Sequence, residues 1–97
     1  MAEHASIVRV ARYRPQPGHV EELRAALHSL ADSMRGLPDL FGAQVCRLNE
    51  DPDWLALVSR WQREQAMQAT SNPAVEELVN QVAGLAQEQR VEHFIAE

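Results

Sequence analysis

The sequence predicts an α+β domain of the ferredoxin-like plan: a four-stranded antiparallel sheet in the order βαββαβ, with both helices on one face. Three observations predict it. The hydrophobic period switches between about 2 and about 3.6 residues along the chain, as strands and helices alternate. Clusters of proline, glycine, asparagine and aspartate fall between the periodic segments. One strand candidate is apolar on both sides, so both of its faces need cover.

Residues 5–14 alternate β-branched residues with arginines and read as a half-buried strand, stopped by Pro15, Pro17 and Gly18. From Val20 the spacing changes: Val20, Leu23, Leu27, Leu30 and Met34 lie on one helical stripe. Glu21 and Glu22 suit the positive end of the helix dipole, and Gly36 with Pro38 supplies the stop. Phe41 to Leu48 and Trp54 to Trp61 are two strands, joined as a hairpin through Asn49-Glu50-Asp51-Pro52-Asp53. The second arm opens with the unbroken apolar run Trp54 to Val58. A short polar helix is expected over 63–70. Asn72-Pro73 then caps a helix carrying Val75, Leu78, Val79, Val82 and Leu85, and Arg90 to Ala96 forms the last strand.

The 97 residues make one domain, 1–97. A chain this short buries only ~60–65% of its unfolded surface, so self-association is a natural supplement. With the two-sided apolar strand, this predicts a homodimer whose second copy covers the face opposite the helices. Composition, 45% hydrophobic and 24% charged, is that of a folded protein. No apolar run reaches the ~20 residues of a membrane span, and residues 1–15 lack a signal-peptide core; a cytoplasmic protein with no membrane partner is expected.

A net charge of −5 argues against nucleic-acid binding. All nine cations are arginine, which excludes lysine chemistry. Cys46, the single cysteine, is expected as a buried thiol. The four dispersed glycines contain no phosphate loop, and one cysteine with scattered histidines offers no metal spacing. His4 and His93 meet if the first and last strands pair antiparallel, although strand-end histidines are usually just solvated. His19 and His28 fall off the apolar stripe, at the surface.

Trp61 shares parity with Leu55, Leu57 and Ser59. Its indole either fills the core between sheet and helices or lines a pocket for a flat apolar ligand, with one hydrogen bond to donate. Phe41 and Tyr13 are further wall candidates. Arg12 and Arg14 bracket Tyr13, and one buried arginine would suit an anionic or phenolic oxygen.

The stretches Pro17-Gly18-His19-Val20-Glu21-Glu22-Leu23 and Leu37-Pro38-Asp39-Leu40-Phe41-Gly42 are joined by three shorter features. These are Asp51-Pro52, Trp61 followed by Glu64-Gln65-Ala66, and Ser71-Asn72-Pro73. Together, in order and spacing, they resemble the antibiotic biosynthesis monooxygenase superfamily of dimeric α+β barrels. The resemblance implies a pocket between sheet and helices, with Trp61 in its wall. It also implies a monooxygenase-like activity on an electron-rich aromatic of phenol or quinol type, without a bound cofactor. Candidate substrate-binding residues are Trp61, Phe41, Tyr13, Arg12 and Thr70; no catalytic residue is assigned. Many members carry a histidine where Thr70 or Ser71 stands, and haem-degrading members an asparagine where Arg12 stands, so haem degradation is not expected. The alternative is a non-catalytic ligand-binding or sensing dimer on the same fold, favoured by the missing histidine. An isomerase using His93 or a carboxylate as base is a third reading.

Overall fold

A computed structural model describes residues 6–62 and 72–96 of the chain. The expected short helix over 63–70, together with His4, Thr70 and Ser71, lies outside the described residues. The elements run β1 (Ile7–Pro15), α1 (Val20–Met34), β2 (Leu40–Arg47), β3 (Leu55–Trp61), α2 (Pro73–Leu85) and β4 (Ala86–Ile95). They form an antiparallel sheet in the spatial order β2-β3-β1-β4, the predicted ferredoxin-like α+β plan.

Helix α1 begins where the predicted stripe begins. Leu23, Leu27, Leu30 and Met34 are buried, whereas Val20 at its first turn is 39% exposed. His19 stands at the N-cap without capping the backbone; its Nδ1 lies 2.7 Å from Glu22 Oε1 on the exposed side. Gly36, at φ 91°, takes the left-handed conformation that ends the helix. Helix α2 is capped as its sequence implies: the Asn72 side chain accepts a hydrogen bond from the Ala74 N–H at 2.9 Å, and Pro73 occupies the first turn.

The last strand differs from expectation. It starts at Ala86, immediately after Leu85, with no loop between helix and strand. Backbone pairing is the cause. The Gln16 N–H donates to the Leu85 carbonyl at 2.8 Å, and β4 pairs with β1 from Ala86 onward. Cys46 is also corrected: opposite Ala56, on an outer strand of the sheet, it is half-buried rather than buried.

The β1–β3 register places Ile7 against Trp61, Ala11 against Leu57 and Tyr13 against Leu55. These residues and Ser59 face the helices. Val8, Val10, Ala56 and Val58 face the other way. The core lies between sheet and helices, centred on Leu23, Leu27, Leu57 and Val82, each no more than 1% exposed. Each such side chain contributes about 1.5–3 kcal/mol by leaving water. On the opposite face Arg12 pairs with Glu92 at 2.9 Å, and the Arg90 guanidinium lies 5.6 Å from the Trp54 ring centroid. No helix among the described residues is long and apolar enough to cross a membrane.

Truncating the core and the surface should separate cleanly. Leu27→Ala is expected to lower the unfolding free energy by about 2–5 kcal/mol in a urea titration. Phe41→Ala, at a side chain 60% exposed, should stay within about 0.5 kcal/mol of wild type.

Candidate functional site

Between the sheet and the two helices lies a cavity of about 290 Å³, near the lower end of small-molecule sites. Its apolar walls follow from the two periodicities. Leu57 and Trp61 project from β3, two pleats apart. Leu30 and Met34 face them from consecutive turns of α1, and Val75 and Val79 do so from α2. The polar wall is built from three elements: Arg9 and Tyr13 on β1, Gln89 on β4, and Glu76 and Asn80 on α2.

Trp61 is 2% exposed, and its indole N–H donates to the Ser59 hydroxyl at 2.9 Å. Residues two apart on a strand share a face, which brings the pair together. The bond changes what the indole can do. Its only donor is already used, so Trp61 offers the cavity an apolar ring and no hydrogen bond.

Tyr13 is 4% exposed and sits four residues from Arg9 on the same face of β1. Its pKa is raised above 10.0, chiefly because burial disfavours the phenolate. Arg9 opposes the rise through its charge and a side-chain hydrogen bond. The phenol is therefore neutral near pH 7. Arginine has no acceptor, so a hydrogen bond between the two can run only from the guanidinium to the Tyr13 oxygen, which leaves the hydroxyl hydrogen free to point elsewhere.

The structure brings Trp61 and Tyr13 to one cavity. It does not bring Phe41 there: that ring is 60% exposed at the start of β2, where the register shifts between Leu40 and Gly42. Arg12 lies on the opposite face, held by Glu92, and the arginine at the cavity is Arg9. Sequence reasoning passed over Arg9, Gln89, Glu76 and Asn80. Arg9 was discoverable, since it shares parity with Tyr13 while Arg12 does not. His93 stands opposite Arg9 on β4 and is exposed; His28 is exposed on α1. No cluster of three metal-ligating side chains occurs among the described residues.

The sequence profile of the antibiotic biosynthesis monooxygenase family matches residues 6–81. The chain belongs to that family. No curated protein matches it. Among solved structures it is similar to a conserved protein of Methanosarcina mazei, with a TM-score of 0.85 at 18% identity over 97% of this chain and 95% of that one. A Shewanella oneidensis protein gives 0.83 at 23% identity, over 96% and 92%. A provisional antibiotic biosynthesis monooxygenase of Chloroflexus aurantiacus gives 0.81 at 19%, over 96% and 94%. At these identities the likeness establishes the fold.

Tyr13 is the only tyrosine, so the tyrosinate absorbance band reads this site alone. Its midpoint in the folded protein is expected above 10.0 and should return to the ordinary value in denaturant. Arg9→Gln should move the folded midpoint higher still, because both Arg9 contributions lower it. The stability linked to this group is complete below the unfolded value and is lost as pH rises through the folded one. A wild-type midpoint at or below the unfolded value would contradict the buried phenol.

Proposed function

We propose that this member of the antibiotic biosynthesis monooxygenase family is a cytoplasmic enzyme that takes an electron-rich aromatic, of phenol or quinol type, into the cavity beside Trp61. It oxygenates that substrate without a resident cofactor. The observation that supports this most is the make-up of the cavity. A wall of Trp61, Leu57, Leu30 and Met34 suits a flat apolar body, and Tyr13 gives one polar end. Substrates of this class can react with dioxygen through their own carbanion or radical. The protein then supplies shape, exclusion of water and a partner for the substrate oxygen. For a ring methylene taken to a carbonyl the balance is complete: one oxygen atom enters the product, and the other leaves as water with the two methylene hydrogens.

One observation favours binding without turnover. Tyr13 keeps its proton near neutral pH and Arg9 cannot lose one, so neither can act as a base. Oxygen uptake with a panel of phenols and quinols, run beside calorimetric titration, separates the readings. Saturable uptake is expected for the enzyme. It should be lost in Val79→Trp, which fills the cavity from a position 46% exposed and leaves the core intact. Heat of binding without uptake supports the sensing module, and neither signal removes both readings.

Pairing belongs to the same proposal. On the face opposite the helices Val8, Val10 and Val58 are only half-buried and Phe94 is 48% exposed, an apolar patch that a second copy would cover. Sedimentation of the wild type should give a dimer and Val58→Asp a monomer; a monomeric wild type would rule the pairing out.

A further inference from the structure

We propose that the ligand of the cavity carries an acidic oxygen on its ring system, and that Arg9 is the residue that selects it; this rests on the cavity being the ligand site. Among the described residues five arginines, Arg12, Arg14, Arg24, Arg35 and Arg90, stand within 4.0 Å of a carboxylate. Arg9 is in no ion pair among the described residues. It is half-buried at a largely apolar cavity, and its charge acts on the neutral Tyr13 hydroxyl four residues along the same face. A permanently charged guanidinium partly withdrawn from water beside an apolar wall attracts a counter-charge more strongly than one in bulk water. Two groups near it do not supply that charge. Glu76 also lines the cavity but is exposed on the first turn of α2 and makes no ion pair with Arg9. His93, opposite Arg9 on β4, can only add positive charge.

The position is also rigid. β1 is an inner strand, so Arg9 has ladder partners on both sides, Ser59 on β3 and His93 on β4. Its guanidinium and the Tyr13 hydroxyl hydrogen form a pair of donors beside the Trp61 wall. A carboxylate or an ionised phenolic oxygen accepts from both, with a charge-assisted bond to the arginine.

Calorimetry with matched probes tests this. 2-Naphthoate is compared with 2-naphthamide, and 2-naphthol with 2-methoxynaphthalene. The acidic member of at least one pair should bind about ten- to a hundred-fold tighter, the range of one hydrogen bond to a charged group. A preference within the first pair identifies a carboxylate, and within the second a phenolic oxygen. Arg9→Gln should erase the preference and Arg12→Gln, on the opposite face, should keep it. Arg9→Lys should restore part of it, and the wild-type comparison stands even if Arg9→Gln does not fold. Equal affinities within both pairs, or a preference that survives Arg9→Gln, overturn the assignment while leaving the cavity as the ligand site. No binding of any probe overturns both.

Discussion

The register between β1 and β3 is the constraint on which the rest depends. Pairing Tyr13 with Leu55 and Ile7 with Trp61 assigns every residue of the two inner strands to one face or the other. A slip of one residue would set the two strands out of phase, so that with Trp61 and Leu57 still toward the helices Arg12 would stand there in place of Tyr13. Core, cavity wall and polar end are thus consequences of one alignment. The helices then have little freedom. The stripe of α1 must cover Leu57, and α2, tied to β4 without a loop, must close the remaining side.

Most of the architecture was legible because its signals are local. The stripe from Leu23 to Met34, the Asn72-Pro73 cap and the turn at 49–53 each act through neighbours within a turn or two. The start of β4 was not, since Ala86 to Gln89 lack strand character. They are extended because β1 offers them backbone partners, a distant cause that the local pattern does not encode. Arg12 was misplaced for a related reason. With valines on one face of β1 and Ala11 and Tyr13 on the other, both sides look buried and parity alone does not say which meets the helices. Phe41 stays outside the cavity because the irregular pairing at Leu40–Gly42, which its own residue type does not signal, leaves it exposed.

The site has a simple division of labour. Apolar residues come from β3, α1 and α2, where the helical and strand periods converge. Polar ones come from β1, β4 and the exposed side of α2. The bond from Trp61 to Ser59 sharpens that division, because it removes the only polar atom from the aromatic wall. The polar groups of the cavity then stand on the opposite wall, where donors outnumber acceptors that can carry charge.

The two tryptophans end up on opposite faces of one sheet. Trp61 is buried and hydrogen-bonded inside, whereas Trp54 is half-exposed and stacked against Arg90 outside. An indole's emission follows the polarity around it, so the inner ring should emit at shorter wavelength than the outer one. The chain thus carries two optical reporters on a single scaffold. One reads events in the cavity and the other events on the opposite face, and their colours keep the two apart.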